Sequence, residues 1–294
     1  MLKYIHQNDK RKDELVLNKI YLEITNVCNL DCTFCHKTTR TKKLITEEEF
    51  DVLISKIEGK AKYLYFHLMG EPTLHPLLPE FIEKAKSKGF LPAITTNGSL
   101  LSKVEEKLLE SFPHKVSISL HAPEANAAFS SEGYLDSCIS FAKSAAKQGA
   151  YVALRLWNLG SGADNSKILD FLHNCFPNEW VDIRGGSSQR IADKIFLEWG
   201  ERFEWPDPSL PESDPDADLF CYGLRDQIGI LVDGTVVPCC LDSDANLALG
   251  NLFSSELDDI ISSPRAKAIY DGFTRRRATE SLCRKCGYAK RFSK

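Results

Sequence analysis

The chain has 294 residues, 41 acidic against 37 Lys and Arg, 43% hydrophobic side chains and 10 cysteines. That composition suits a globular, enzyme-sized chain of one large domain or a large and a small one, and excludes a disordered or fibrous chain. A net charge of −4 gives no field for nucleic acid or anionic membrane. No apolar run nears the roughly 20 residues of a membrane span, and the first residues carry charge where a secretory signal is apolar. A cytoplasmic protein with no nucleic-acid or membrane partner is expected.

In chain order, residues 19–25 alternate Ile20, Leu22 and Ile24 with Tyr21 and Glu23, the period of a strand, and run straight into Cys28-x₃-Cys32-x₂-Cys35. Thr46 and Glu49 form a capping box ahead of Phe50, Leu53, Ile54 and Ile57, which share a helix face. A strand is expected near Tyr63 to Leu68, a helix near Pro79 to Lys88, a strand near Leu91 to Thr95 and a helix begun by Ser102. Then come a strand over Val116 to Leu120 and a long helix with Leu135, Cys138, Ile139, Ala142, Ala145 and Ala146 on one face, ending near Gly149. A strand over 151–157, a helix near Ser166 to Asn174 and strand-like segments around 180–184 and 194–199 complete the series.

Strict alternation of strand and helix implies parallel βαβ units, and about six of them suit an open or partial (β/α)₆ barrel. Such folds place their chemistry in the loops after the strands. There the chain puts its cysteine loop, then Met69-Gly70-Glu71-Pro72, then Thr96-Asn97-Gly98, with Ser119 on the fourth strand and Arg155 on the fifth. Three thiolates, a carboxylate, an amide, a hydroxyl and a guanidinium on one rim match a zwitterionic amino-acid nucleoside.

Residues 203–219 hold four prolines among six acids and read as a linker. Beyond it, Asp233-Gly234 is a hairpin turn signal that delivers Cys239, and a helical stretch around Ser255 to Tyr270 precedes Cys283-x₂-Cys286. The expected organisation is a lead-in over 1–17, the barrel over 18–202, the linker over 203–219, and a small β-hairpin and helix domain over 220–294.

In a reducing compartment clustered cysteines are metal ligands or catalytic groups. Cys28, Cys32 and Cys35 leave one ligand position open, as a reactive centre requires and a structural zinc does not; His36 is badly placed to close it. Cys221, Cys239 or Cys240, Cys283 and Cys286 offer a closed four-thiolate site, which spacing alone leaves open between zinc and an iron–sulfur cluster. Cys138, on an apolar helix face, is expected to be buried and inert.

The run CxxxCxxC with an aromatic residue, Phe34, just before the third cysteine resembles the signature of the radical S-adenosylmethionine (SAM) enzymes. The resemblance implies a [4Fe–4S] cluster on Cys28, Cys32 and Cys35, with SAM chelating its fourth iron. It implies that Glu71, in a Met69-Gly70-Glu71 segment similar to the family's Gly-Gly-Glu motif, binds the SAM amino group. Met69 departs from that motif at its first position. Ser119 and Arg155 resemble the groups that contact the ribose and the methionine carboxylate, the backbone at Phe34 is expected against the adenine, and Asn97 near the ribose.

The C-terminal cysteines resemble the auxiliary-cluster region called SPASM or its short form, twitch. No cysteine follows Cys286, so the resemblance implies one auxiliary [4Fe–4S] cluster on Cys221, Cys239, Cys283 and Cys286, with zinc as the alternative. The position of Gly234 favours Cys239 over Cys240 as ligand, and Cys240 is left as a candidate hydrogen donor to a substrate radical.

The resemblance implies reductive cleavage of SAM to a 5′-deoxyadenosyl radical, hydrogen abstraction from a peptide or protein side chain, and transfer of the second electron to the auxiliary cluster. A flavodoxin- or ferredoxin-type donor is expected. Dehydrogenation of a small sugar or cyclitol alcohol is the alternative reading; an RNA-modifying enzyme and a zinc-stabilised binding module are further ones. Because the strand pattern begins by residue 19, no separate leader-peptide-binding domain is expected.

Overall fold

The computed structural model describes residues 17–126, 132–183, 185–211, 214 and 216–292. The expected lead-in therefore lies, but for Leu17, outside the described residues.

Five parallel strands follow one another across the sheet in sequence order: β1 (Leu17–Leu22), β2 (Ala61–Tyr65), β3 (Leu91–Thr96), β4 (Lys115–Ser119) and β5 (Tyr151–Leu159). They alternate with α1 (Glu47–Lys56), α2 (Leu78–Ser87), α3 (Leu101–Ser111) and α4 (Tyr134–Gln148), and α5 (Ser166–Cys175) follows β5. Two short strands, β6 (Val181–Asp182) and β7 (Ser188–Ala192), precede β8 (Ile195–Glu201), which pairs in parallel with β5 as the sixth barrel strand. The sheet stays open, as expected of a partial barrel.

Both edges are extended in ways the sequence pattern did not show. At one, β7 and β6 add antiparallel strands beyond β8. At the other, β9 (Gln227–Ile230) pairs in parallel with β1, so the C-terminal hairpin of β9 and β10 (Thr235–Val237), with β11 (Gly250–Asn251), continues the barrel sheet. The polypeptide thus ends beside its first strand, which brings the second cysteine set toward the first.

Period-two alternation divides the strand residues between two faces. Ile20 of β1 and Ile118 and Leu154 of β4 and β5 join Phe50, Phe81 and Phe141 from the helices in one buried cluster. Phe50 and Phe81 stack with ring centroids 4.0 Å apart. Tyr21, Tyr65, Arg155 and Trp157 instead line the inner cavity.

The capping box at α1 forms: Glu49 N–H donates to Thr46 Oγ1 at 3.2 Å and Thr46 N–H to Glu49 Oε2 at 3.0 Å. Gly149, at φ +114°, ends α4. One expectation is corrected. The third helix starts at Leu101 with no side-chain cap, because the Gly98 carbonyl already accepts from Leu101 N–H and carries the turn into the helix. The stretch around 255–270 is two helices, α6 (Leu257–Ile261) and α7 (Pro264–Thr274), divided where Ser263 caps α7 and Pro264 takes the first helical position. A final turn, α8 (Ser281–Arg284), carries Cys283.

Candidate cofactor and substrate site

The cysteine loop begins where β1 ends. Val27 N–H donates to Thr25 Oγ1 at 3.0 Å, and the Val27 carbonyl accepts from Glu71 N–H at 2.8 Å. That second bond brings the loop after β2 directly against the approach to Cys28. Gly70 makes it possible: at φ +78° a Cβ there would lie 2.5 Å from the Thr25 carbonyl oxygen and 2.8 Å from that of Val27. Only glycine tolerates both the left-handed backbone and the contact.

Cys28 is exposed, and Cys32 and Cys35 are half-buried. Two amides point at their sulfurs. Asn126 Nδ2 donates to Cys32 Sγ at 3.0 Å, and Asn97 Nδ2 lies 4.0 Å from Cys28 Sγ while bonding Asn29 Oδ1 at 3.0 Å. Burial, with the nearby thiols adding to it, raises all three thiols above the ordinary cysteine value. A bound metal reverses that order, because coordination favours the thiolate.

Glu71 is 2% exposed. Its Oε1 accepts from Thr73 N–H at 3.1 Å and Thr73 Oγ1 at 2.6 Å, and its Oε2 from Asn97 N–H at 2.7 Å. The carboxylate expected to meet an ammonium group thus also fastens the loop after β2 to the loop after β3. Phe34, on the cysteine loop, packs its ring 5.0 Å from that of His121, and its carbonyl accepts from Trp205 Nε1 at 3.2 Å.

Ser119 and Arg155 are register partners on β4 and β5. Arg155 faces a cavity of about 550 Å³ rather than the Glu71–Asn97 group. Its Nε donates to Glu198 Oε2 at 3.3 Å, its Nη1 to Thr95 Oγ1 at 3.4 Å, and its guanidinium lies 4.7 Å from the Trp157 ring centroid. Trp199 also lines the cavity.

Cys221, Cys239, Cys283 and Cys286 line one small cavity with Pro206, Pro238 and Leu282. Burial raises all four thiols, and the neighbouring thiols raise Cys239 and Cys283 further. Cys240 lines the larger cavity together with Tyr21. Adjacent cysteines are therefore turned into different spaces. Cys138 is fully buried, its thiol pushed up to about 12 by burial, as an inert thiol should be.

Both donor sets fit iron–sulfur clusters: three thiols on one loop with amide donors aimed at sulfur, and four thiols around one cavity. Among the described residues no three His, Cys, Asp or Glu side chains are placed to hold a single metal ion.

Several residues of the site escaped sequence reasoning. Tyr21 and Glu23 read only as the alternate positions of a strand; in a barrel covered by helices that face is the lumen, and their polarity was the available signal. Glu23, fully buried, accepts from Arg40 Nη2 at 2.7 Å, Met69 N–H at 3.2 Å and Val232 N–H at 3.0 Å. Nothing in the sequence marked Asn126.

Two family models match this chain. Residues 22–142 match the radical SAM superfamily and residues 221–287 match SPASM, an iron–sulfur cluster-binding domain. The tungsten-containing aldehyde ferredoxin oxidoreductase cofactor-modifying protein of Pyrococcus furiosus is 34% identical over 88 residues, 28% of this chain and 24% of that protein. The antilisterial bacteriocin subtilosin biosynthesis protein AlbA of Bacillus subtilis is 24% identical over 91% of this chain and 64% of its own length. The chain thus spans less than two thirds of either relative. Among solved structures, BtrN in complex with AdoMet and 2-DOIA superposes with a TM-score of 0.61 at 17% identity, over 93% of this chain and 94% of that one. No helix among the described residues is long and apolar enough to cross a membrane.

Proposed function

This chain belongs to the radical SAM superfamily and carries a C-terminal SPASM iron–sulfur region, and from that premise we propose that it abstracts a hydrogen atom from a peptide or protein side chain held between the barrel and that region. The observation that carries the reading is the 550 Å³ cavity, walled by the barrel strands and by Cys221, Cys240 and Leu241 of the C-terminal region. Its volume suits one side chain or one small molecule.

Cys28, Cys32 and Cys35 would hold the SAM-binding [4Fe–4S] cluster, and Cys221, Cys239, Cys283 and Cys286 the auxiliary one. With SAM bound, the first cluster supplies the one-electron cleavage that makes an unactivated C–H bond reactive. The chain's own residues do the orienting. Glu71 would bind the SAM amino group, beside the Gly70 backbone; Asn97 and Ser119 would offer an amide and a hydroxyl to the ribose, and the Phe34 backbone would face the adenine. Arg155 supplies a guanidinium from the cavity wall. Cys240, which lines the same cavity as Tyr21, would be the residue to return a hydrogen atom where the outcome is redox-neutral. The barrel, linker and C-terminal unit keep the bounds 18–202, 203–219 and 220–294 as working divisions. A flavodoxin- or ferredoxin-type donor in the cytoplasm would deliver electrons.

The alignment with AlbA along most of this chain supports the peptide reading. The small cavity supports a second, dehydrogenation of a small sugar or cyclitol alcohol. Anaerobic incubation with SAM and dithionite tests the common premise: methionine and 5′-deoxyadenosine are expected in equal amounts, and their absence would overturn it. Mass loss of two hydrogens from a peptide pool, rather than from aminocyclitols, separates the two substrates.

A further inference from the structure

We infer that residues 203–208, at the start of the proline-rich segment, form a strap through which filling of the second cysteine site steadies the first, with Trp205 as its positioning residue. The inference rests on the two cluster sites proposed above and needs no particular substrate. The strap follows β8 and is fastened at two points to the turn that carries Cys283 and Cys286. Gly287 N–H donates to the Glu204 carbonyl at 3.0 Å, and Lys285 Nζ donates to the Pro208 carbonyl at 2.7 Å. Gly287 comes so close because it has no side chain: a Cβ there would lie 2.7 Å from the Glu204 carbonyl oxygen. Pro206 is buried and is itself a wall of the cavity that Cys221, Cys239, Cys283 and Cys286 line.

From the same strap Trp205 reaches the first cysteine loop. Its Nε1 donates to the Phe34 carbonyl at 3.2 Å, and its ring stacks on that of His36, with centroids 5.9 Å and planes 17° apart. Phe34 and His36 flank Cys35, so one indole holds both neighbours of that thiol. Phe203 packs 5.4 Å from the Trp205 ring and 5.1 Å from that of Tyr288, just past Cys286. The backbone between these contacts is stiff. Pro206 fixes its own φ near about −65° and confines Trp205 to extended conformations, so a shift of the cavity wall is passed to the indole rather than absorbed.

Four thiolates closing on a metal hold their backbones at fixed distances. That fixes the anchors at Gly287 and Lys285, then the strap, then Phe34 and His36. The first site has the greater need of such support, because its cluster hangs on three thiolates of one half-exposed loop. Groups that orient metal ligands from outside are worth about 10–100-fold in metal affinity. Trp205 acts in that way on Cys35 and holds no ligand itself.

A double-mutant cycle on the anaerobically reconstituted enzyme tests the strap. Loss of the first cluster to excess EDTA is followed by the reduced-cluster EPR signal that SAM perturbs, since only the open cluster binds SAM. Cys221→Ala with Cys239→Ala empties the second site and should speed that loss by about tenfold. Trp205→Phe keeps a ring against His36, removes the donor to Phe34, and should speed it by about tenfold as well. Together they should exceed either alone by less than about twofold, because both act through one strap. Trp180→Phe, which removes an indole donor to the Phe176 carbonyl elsewhere, should leave the parent rate. Hydrogen exchange at residues 34–36 should be faster in the emptied variant, with no change made at Trp205. Two effects that multiply in full, or exchange and cluster lifetime unmoved by emptying the second site, would overturn the proposal. Zinc in place of iron at the second site would sink the auxiliary-cluster reading alone, since either metal fixes the anchors and the same rates decide this one.

Discussion

Thr38 donates its hydroxyl to Asp244 Oδ1 at 2.6 Å across 206 positions of sequence. The same Oδ1 accepts from Thr39 N–H at 2.8 Å, and the Ser243 carbonyl accepts from Arg40 Nε at 2.7 Å. The segment after Cys239 and Cys240 therefore holds the loop that follows Cys35. Arg40 continues the connection to Glu23, which binds the start of the Met69 loop and Val232 of the C-terminal hairpin. The two cysteine sets share one scaffold.

Replacing Asp244 should show it. Asp244→Ala removes the shared acceptor of Thr38 and Thr39 and should cost about 1–3 kcal/mol locally. Hydrogen exchange of residues 36–41 should accelerate, and the cluster on the first three cysteines should be lost faster in air. Exchange unchanged from the parent would contradict the coupling.

Gly70→Ala meets two obstacles at once, a left-handed φ and carbonyl oxygens at 2.5 and 2.8 Å. Stability should fall by about 2 kcal/mol or more, and SAM affinity with it, because the loops after β1 and β2 must separate. Equilibrium urea unfolding and SAM binding by dialysis measure both; a variant equal to the parent in each would refute the packing argument.

Cys239 and Cys240 face different cavities, so their serine variants should diverge. Cys239→Ser should lose about four irons on reconstitution and Cys240→Ser none. Equal losses would mean that the assignment of the fourth thiolate is wrong.

His67 gives a pH signature. Its folded pKa, about 3, lies below its unfolded value, so between those values the unfolded chain binds more protons and stability falls as pH drops. Against His67→Asn, which cannot titrate, the parent should lose up to about 1.4 kcal/mol per pH unit once the pH falls below about 6.5, and nothing above pH 7. A stability difference flat from pH 5 to 8 would show that His67 is not held neutral.

The alternating pattern of 19–25 and the capped helix after Thr46 were legible because strand and helix periods are local properties. So was the cysteine spacing, since a cluster loop is contiguous. Of the β6–β7 edge, the segment around 180–184 was legible as strand-like, but β7 and the antiparallel pairing were not, since Val181–Asp182 is two residues long and only pairing makes it a strand. Nor was the pairing of β9 with β1, which joins segments some 200 residues apart and depends on the whole sheet. The division of labour between Cys239 and Cys240 followed Gly234 spacing only in part, because which way adjacent side chains face is set by the hairpin's register. Arg155 was legible as a functional cation; its neighbours Lys115 and Glu198 were not, since one lies at the start of its strand and the other on a strand read only as strand-like.

The most direct test of two cluster sites on one scaffold is the content of iron, acid-labile sulfide and zinc per chain after strictly anaerobic purification and reconstitution. About eight irons with matching sulfide and no zinc are predicted, falling to about four when Cys28, Cys32 and Cys35 are changed to serine. About four irons with one zinc in the parent would contradict the account, making the C-terminal cysteines a structural support with no electron to accept.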